Sequence, residues 1–337
     1  ATWQSNVLGQ GAFGTPNDNC GLLAGNCCYT PRMQGMNAVL GDTFIADCGQ
    51  LNEARFDHPD YRRPDLFIIW GNNPLRANAD GFFGHWIIDC MRRGSELFVV
   101  DPQVTWLSAH AKLYIQVRPG TDAALALALC NVIIEEGLED KEFVDLWCYG
   151  YDEFKEHVKK YTAAFAAETC GVDEELIVEA ARFYAKAHPS TIQWGLAVDM
   201  SKIGTPTAHA IACLAGITGN IDNPGGNILI DQACGLEFGY NSGIEYLKEG
   251  MVEKRLGNSK YNLKKYGFTA SSQSDAILEA CETGLDEKGD PRPVNMLWIQ
   301  SSNPITNMGQ DAPRIYRAME RVRAALIQLG REKGLAQ

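Results

Sequence analysis

The chain has 337 residues, 45% of them hydrophobic and 21% charged, which is ordinary for a globular protein of two or three domains. Its net charge of −12 argues against nucleic acid as the main partner, because neutralising phosphates requires clustered Lys and Arg side chains. No apolar run of about 18 residues occurs, so the sequence predicts no membrane span.

The first 31 residues are rich in Gly, Asn, Cys and Pro and predict loops. Cys28 stands out there, within the string Asn-Cys-Cys-Tyr-Thr-Pro-Arg at 26–32. A free Cys is most often a small buried hydrophobe, and the residues alone favour this reading. The alternative is a thiolate that binds a soft metal.

Strands and helices then alternate. An apolar strand over 65–70 leads into a Gly-Asn-Asn-Pro turn, a helix is predicted over 80–93, and further strands over 95–101 and 113–117. Small polar loops after buried strands are where open α/β sheets bind ligands. The predicted fold class is therefore α/β, with mostly parallel sheets flanked by helices.

Two acidic residues follow these strands. Asp101 ends the second strand, where a carboxylate can accept hydrogen bonds from ribose hydroxyls, although Asp-Pro is also common in turns. Asp122 ends the string Arg-Pro-Gly-Thr-Asp, which can cap the next helix. Its carboxylate could also accept two parallel N–H donors from a guanine. No Gly-x-Gly-x-x-Gly follows any strand, which argues against an NAD or FAD site.

The alternation continues beyond these loops, until residues 220–272, which are predicted to form a long irregular excursion. Five later helices are predicted, over 121–136, 140–147, 151–160, 173–187 and 205–218. A further strand is predicted over 192–198. A second apolar run starts at Val294 and ends in Ser-Ser-Asn-Pro at 301–304, and a final helix starts near 311. Because this run repeats the pattern of the first strand, the chain is predicted to contain two similar ligand-binding halves.

The eleven cysteines are scattered, and no two have the spacing Cys-x-x-Cys. An odd number in helix-like and strand-like segments indicates mostly free thiols rather than a disulfide framework. The spacing also argues against a zinc ribbon or a cysteine-bound iron–sulfur cluster within these residues. The six histidines are equally isolated, and each is interpreted as a surface or structural residue.

Six motifs, in this order, resemble the molybdopterin oxidoreductases of the dimethyl-sulfoxide-reductase family. They are Trp-Gly-Asn-Asn-Pro, Val-Val-Asp-Pro, Arg-Pro-Gly-Thr-Asp-Ala-Ala-Leu, Trp-Gly-Leu, Thr-Gly-Asn-Ile-x-x-Pro-Gly-Gly and Ser-Asn-Pro. The resemblance covers roughly residues 13–320 and looks closest to the branch of acetylene hydratase and catechol dehydroxylase-like enzymes. It implies one Mo or W atom held by two pterin guanine dinucleotides, a bis-molybdopterin guanine dinucleotide cofactor, on two related α/β domains, the second incomplete here.

The resemblance also assigns roles to single residues. Cys28 would be the metal ligand, with Cys27 as the fallback, while Asp101 would bind ribose and Asp122 guanine. The other residues expected to bind the cofactor are Gly71, Asn72, Asn73, Pro74, Pro102, Arg118, Gly120, Thr121, Trp194, Gly195, Gly219, Asn220, Ser302, Asn303 and Pro304. Of these, Trp194, Gly195, Gly219 and Asn220 would approach the pterin side.

The chain departs from the family pattern at several points. Family members usually carry an N-terminal cysteine motif for a 4Fe–4S cluster and a C-terminal β-rich domain. We therefore expect a fragment, with the cluster in the missing N-terminal part. Asp-Pro-Gln stands at 101–103 where relatives often have Asp-Pro-Arg, and Asp199-Met200 stands where many have Thr-Gln. The domains are predicted as 1–24, the remnant of a preceding domain; 25–230, the molybdopterin-binding domain; and 231–337, the excursion and part of the second domain.

The predicted function is metal-centred redox or hydroxyl/oxygen transfer on a small-molecule substrate, with electrons passed to an iron–sulfur partner subunit. Two alternatives stay open. One is a non-catalytic scaffold of the same fold, as in large respiratory-complex subunits, and the other is an NAD-dependent dehydrogenase. The chain begins with Ala and shows no leader, so the sequence does not predict a localisation.

Overall fold

The chain folds into two compact units, seen in a computed structural model. One, the sheet unit, is Cys27–Asp231, and the other, the helical unit, combines Ala1–Asn26 with Gln232–Gln337. The N-terminal segment, predicted to be the remnant of a preceding domain, thus groups with the C-terminal part of the chain. The structure describes residues 7–17, 30–47, 62–77, 82–229, 243–261, 274–299, 303–307 and 311–335.

A four-stranded parallel sheet, in the order β4-β3-β2-β5, is the centre of the sheet unit, and β1 and β6 form a separate antiparallel pair. The strands are β1 (Phe44–Ala46), β2 (Leu66–Trp70), β3 (Glu96–Val100), β4 (Leu113–Ile115), β5 (Ser190–Trp194) and β6 (Asn227–Leu229). Every residue of β2 is fully buried, as expected for a central strand covered on both faces. The predicted parallel sheet flanked by helices is confirmed for this unit.

The helices of the sheet unit cover both faces of this sheet. They are α1 (Thr30–Leu40), α2 (Pro74–Ala77), α3 (Phe82–Arg92), α4 (Trp106–His110), α5 (Asp122–Glu135), α6 (Lys141–Trp147), α7 (Tyr151–Val158), α8 (Ala163–Cys170), α9 (Glu174–Lys186), α10 (Leu196–Asp199) and α11 (Gly204–Ile217). Because side chains alternate along a strand, Ile68 and Trp70 enter the core with α5 and α11. Phe67 and Ile69 instead pack with Trp86 of α3.

The four parallel strands end at the same level. Trp70 of β2 pairs with Val100 of β3 and with Trp194 of β5, and Val100 pairs with Ile115 of β4. The loops that follow these four residues therefore open at one edge of the sheet, which we call the carboxyl edge. This is the place where α/β sheets bind ligands.

Three local features of the sheet unit differ from the sequence prediction. The strand predicted over 192–198 is observed at Ser190–Trp194, and helix α10 follows it. Helix α4 was not predicted, although Thr105 and Ser108 form a reciprocal capping box at its start. Helix α8 was also missed; it begins with Thr162 accepting the N–H of Phe165 and ends at Gly171 in the left-handed conformation.

The helical unit is built from helices and extended segments. Its α-helices are α12 (Asn258–Tyr261), α13 (Ser274–Thr283), α14 (Pro304–Asn307) and α15 (Ala312–Glu332), beside a π-helix at Leu8–Ala12 and 3₁₀ turns at Ile244–Tyr246 and Val252–Lys254. None of the helices within the described ranges of the chain is long and apolar enough to cross a membrane.

The strand predicted from Val294 is wrong for residues 294–299, which have no regular secondary structure. Val294 and Leu297 pack against the core of α13 and α15, while Met296 and Ile299 are about half exposed. A strand needs a neighbouring strand to pair its backbone groups, and the described part of this unit contains no other strand that could pair with this segment.

Helix α1 approaches α11 closely at one glycine. A Cβ on Gly35 would lie 2.6 Å from the Cβ of Ala208 and 2.6 Å from the carbonyl oxygen of Thr205. The absence of a side chain at Gly35 therefore sets the distance between the two helices. Gly216 in α11 is the opposite case, because a Cβ there would meet no atom within 4 Å.

These two helical glycines should respond oppositely to the same substitution. Gly35→Ala is expected to lower the free energy of unfolding by about 1–3 kcal/mol through overpacking. Gly216→Ala should raise it by about 0.5–1 kcal/mol, since alanine loses less backbone entropy in a helix. Urea unfolding followed by circular dichroism measures both. Equal effects of the two changes would contradict the close helix crossing.

Candidate cofactor-binding site

The loop after β2 crosses the end of the sheet. Gly71 has φ +53°, a left-handed conformation that favours glycine, and its N–H donates to the carbonyl of Val100, 2.7 Å away. Asn72 and Asn73 are half-buried, and Pro74 is buried at the start of α2. The structure thus places all four predicted residues of this motif at the carboxyl edge.

Gly195 brings the end of β5 against this loop. Its N–H donates to the carbonyl of Trp70 at 2.9 Å. A Cβ on Gly195 would lie only 2.3 Å from the carbonyl oxygen of Gly71 and 3.0 Å from the Cβ of Asn72. A glycine is required at this position because two backbones touch there.

Asp101 follows β3 at the same edge, with only 8% of its surface exposed. One carboxylate oxygen, Oδ1, accepts the N–H of Gln103 at 2.8 Å, and the Tyr114 hydroxyl donates to the Asp101 backbone carbonyl at 2.9 Å. Burial raises the pKa of Asp101 above the ordinary 3.8, and the charge of Asp122 acts in the same direction. The second oxygen, Oδ2, accepts no hydrogen bond from the described residues.

Asp122 is the first residue of α5 and is equally buried. Its Oδ1 accepts the indole N–H of Trp70 at 2.8 Å, within the core. A carboxylate is favoured at this position by the partial positive charge of the helix N-terminus. Its Oδ2 likewise accepts no hydrogen bond within the described part of the chain. Asp101 and Asp122 therefore present two acceptor oxygens to a ligand with N–H or O–H donors.

The turn before Asp122 is held by its own hydrogen bonds. The Thr121 hydroxyl donates to the carbonyl of Arg118 at 2.7 Å, and the Arg118 guanidinium donates to the carbonyl of Thr169, near the end of α8, at 2.9 Å. Gly120 has φ +83°, and the space where its Cβ would lie is open. In the loop after β3, the carbonyl of Pro102 accepts a hydrogen bond from the side-chain amide N–H of Gln116 at 2.9 Å.

Trp194 ends β5 and belongs to a charged cluster that the sequence interpretation missed. Its indole N–H donates to Oδ1 of Asp199 at 3.0 Å, and Arg32 Nε donates to Oδ2 of Asp199 at 2.7 Å. Asp199 is fully buried, which raises its pKa, while Arg32 acts to lower it. The signal in the sequence is that Arg32 is the one charged residue of α1.

Two cavities lie beside these residues. The larger, about 300 Å³, is lined at the carboxyl edge by Asn72 and Pro74 and also by Phe83. The smaller, about 170 Å³, is lined by Arg32 and Trp194 among others. The lining of both mixes apolar and polar side chains, as in small-molecule sites.

Gly219 and Asn220 lie away from the carboxyl edge of the sheet. Asn220 is buried and its Oδ1 accepts the N–H of Ser190, the first residue of β5, at 2.8 Å. This is the amino edge of the sheet. A Cβ on Gly219 would lie 2.5 Å from Oδ2 of Asp140. The structure thus does not bring these two residues to the carboxyl edge, and their contacts are those of a structural turn.

The remaining predicted residues fall outside the sheet unit or outside the described residues. Asn303 is exposed and Pro304 is buried at the start of α14, both in the helical unit. Cys27, Cys28 and Ser302 lie outside the described residues.

Comparison with known proteins gives a consistent result. The family described as molybdopterin oxidoreductase matches residues 9–320. The F420-dependent formate dehydrogenase subunit alpha of Methanocaldococcus jannaschii is 29% identical over 320 residues, covering 92% of this chain and 43% of that protein. Acetylene hydratase of Syntrophotalea acetylenica is 41% identical over 220 residues, covering 65% of this chain and 29% of that protein.

Among solved structures, acetylene hydratase from Pelobacter acetylenicus shares the fold. The TM-score is 0.75 at 24% sequence identity, and the match covers 95% of this chain and 44% of that chain. The chain spans less than half the length of these relatives. Because the family match extends over nearly the whole sequence, the chain belongs to the molybdopterin oxidoreductase family.

Proposed function

We propose that this chain is part of the catalytic subunit of a molybdenum or tungsten enzyme, and that its sheet unit binds one pterin guanine dinucleotide along the carboxyl edge. The observation that carries the proposal is the pair of buried carboxylates, Asp101 and Asp122, each with one oxygen open to a ligand. The family implies a molybdopterin cofactor with Mo or W, and the guanine dinucleotide form is our proposal.

The residues at this edge fit such a ligand. A ribose offers hydroxyl donors and a guanine offers two parallel N–H donors, and each matches a carboxylate acceptor. The hydrogen bond from Trp70 fixes the orientation of Asp122 before any ligand arrives. Gly71 lets this loop pack closely against α10, because a Cβ on Gly71 would lie 3.3 Å from Cγ2 of Val198 and 3.4 Å from the Cβ of Ala197.

We propose Cys28 as the protein ligand of the metal, with Cys27 as the fallback. Cys28 precedes Thr30, the first residue of α1, by two positions, and two residues span at most about 7 Å. A thiolate just before a helix N-terminus is stabilised by the helix dipole, and no acidic residue in the first turn of α1 opposes this effect. These features support a thiolate, the form of cysteine that binds metals.

When bound, the cofactor would supply metal-centred redox or hydroxyl/oxygen transfer on a small substrate. The chain's own residues would hold and orient it. A partner subunit that carries iron–sulfur clusters and accepts electrons is also proposed, supported by relatives whose names identify them as alpha subunits. For the second dinucleotide we propose Ser302, Asn303 and Pro304, on the strength of their motif. The two open carboxylates argue against a non-catalytic scaffold, which would not need them.

The first test is recognition of guanine. Guanosine diphosphate should bind to the protein more tightly than adenosine diphosphate, and Asp122→Asn should weaken guanosine diphosphate binding about tenfold or more. The reason is that hydrogen bonds to a charged acceptor contribute about 1.5–3 kcal/mol. Asp173→Asn, at an exposed aspartate before α9, is the control and should change nothing. Equal binding of the two nucleotides, measured by isothermal titration calorimetry, would contradict the guanine role of Asp122.

The second test is the pH dependence of nucleotide binding. Ribose hydroxyls donate to an ionised Asp101, and the raised pKa of Asp101 means that this group takes up a proton at a higher pH than an ordinary aspartate. Affinity for guanosine diphosphate should therefore fall as the pH drops through that raised pKa. In Asp101→Asn the affinity should be low at neutral pH and should lack this titration. A variant with the same pH profile as the parent would refute the role of Asp101.

The ionised carboxylate of Asp101 is expected to favour nucleotide binding but to destabilise the folded protein. Because burial raises the folded-state pKa above the unfolded value, the charge destabilises the fold at neutral pH, and this cost is relieved as the pH falls through the folded pKa. Asp101→Asn retains an acceptor for Gln103, so its thermal unfolding midpoint at neutral pH should be higher than that of the parent. A lower midpoint at neutral pH would contradict the assigned cost of burial.

The metal ligand is tested by Cys28→Ser in protein produced in a host that makes the cofactor. The variant should fold normally but show a changed electron paramagnetic resonance spectrum and one sulfur fewer around the metal by X-ray absorption. Cys27→Ser is the matched control and should leave both unchanged. If Cys28→Ser preserves the spectrum and the sulfur count, Cys28 is not the ligand.

A further inference from the structure

Arg32 and Asp199 form an ion pair across 167 positions of sequence, between the first turn of α1 and the end of α10. Both Nε and Nη2 of Arg32 lie 2.7 Å from Oδ2 of Asp199. Nη2 also donates to the backbone carbonyl of Trp194 at 3.1 Å, and the guanidinium lies 5.2 Å from the centre of the Trp194 ring. The planar guanidinium is thus held in three directions, which a Lys side chain could not reproduce.

The burial of this pair is hard to explain as a source of stability. The Asp199 side chain has 0% of its surface exposed and that of Arg32 has 16%. Desolvating two charges costs free energy that their attraction often fails to recover, so apolar residues of similar volume are frequently more stable. An arrangement that fixes one geometry is the better attested use of such a pair.

The pair connects two parts of the proposed site. On one side, the carbonyl of Trp194 that accepts from Arg32 is followed by Gly195, whose N–H donates to Trp70 and whose backbone touches Gly71. This is the loop proposed to hold the dinucleotide. On the other side, Arg32 lies four positions after Cys28, within the first turn of α1.

A second contact limits the position of the same turn. A Cβ on Gly204, at the start of α11, would lie 2.2 Å from the carbonyl oxygen of Asp199 and 3.1 Å from the Cβ of Pro31. Pro31, the neighbour of Arg32, therefore lies beside Gly204, whose backbone also approaches the carbonyl of Asp199. The first turn of α1 is held from two directions at the end of β5.

We infer that Arg32 and Asp199 are positioning residues that lock the first turn of α1, and with it the segment that carries Cys28, to the edge of the sheet that holds the dinucleotide. The inference rests on the proposed function for the role of Cys28. In this view the ion pair sets where the metal ligand stands relative to the cofactor, and its contribution to stability is secondary.

Three variants separate positioning from simple stabilisation. Arg32→Met removes the cation and leaves the Asp199 charge buried without it. Arg32→Met combined with Asp199→Asn removes both charges, while Asn can still accept from the Trp194 indole. Arg182→Met is the matched control, because Arg182 makes a two-point ion pair with Glu136 on the outer helices of the same unit, at 2.7 and 2.8 Å.

The first readouts use the protein without cofactor. Arg32→Met should lower the thermal unfolding midpoint, and the double variant should recover it, because no unpaired buried charge remains. Amide hydrogen exchange in peptides covering residues 26–33 should become severalfold faster in both variants. Amide exchange in the same peptides should stay at the parental rate in Arg182→Met. Recovery of the parental exchange rate in the double variant, or no change in Arg32→Met, would overturn the inference.

The last readout uses the metal-loaded protein. Both Arg32 variants should alter the electron paramagnetic resonance spectrum of the metal, while Arg182→Met should not. A parental spectrum in the double variant would overturn the positioning role. Failure of the proposed function is recognised separately, because it appears as an unchanged spectrum in Cys28→Ser, whatever happens to amide exchange in the Arg32 variants.

Discussion

The parallel register of four strands is the constraint on which the site depends. Trp70, Val100, Ile115 and Trp194 stand at one level, so the loops after them open at one edge and bring distant parts of the sequence together. The glycine contacts at this edge are a consequence, because two strands that end side by side leave no space for a Cβ at Gly195. Four of the six family motifs are short and far apart in sequence because each one lies in a loop that follows one of these four strands.

The three buried carboxylates at the carboxyl edge differ in how many of their oxygens accept a hydrogen bond. Asp199 has both oxygens occupied, by Arg32 and by the Trp194 indole. Asp101 and Asp122 each keep one oxygen open, and burial raises the pKa of Asp101. A buried acceptor without a donor costs free energy that a bound ligand can recover. We therefore interpret Asp199 as part of the framework and the other two as the surface that meets the cofactor.

The sequence was sufficient where local signals and tertiary structure agree. The apolar strand at 66–70, the long apolar helix from Asp122 and the α/β class were predicted because buried strands and helices have distinct periodicities. The apolar run at 294–299 has the same local signal, yet it is no strand, because pairing depends on a partner strand that periodicity does not reveal. Gly219 and Asn220 were grouped with the cofactor loops by motif alone, while the chain path places them at the amino edge. The ion pair of Arg32 and Asp199 joins residues too far apart for any local pattern.

The central claim is that the carboxyl edge of the sheet unit holds a guanine dinucleotide. The most direct test is amide hydrogen exchange of the protein with and without guanosine diphosphate. The account predicts slower exchange in the loops at 71–74, 101–104 and 118–122, and no change in the turn at 218–226. Protection confined to 218–226, or no protection in any of the three loops at saturating nucleotide, would contradict it.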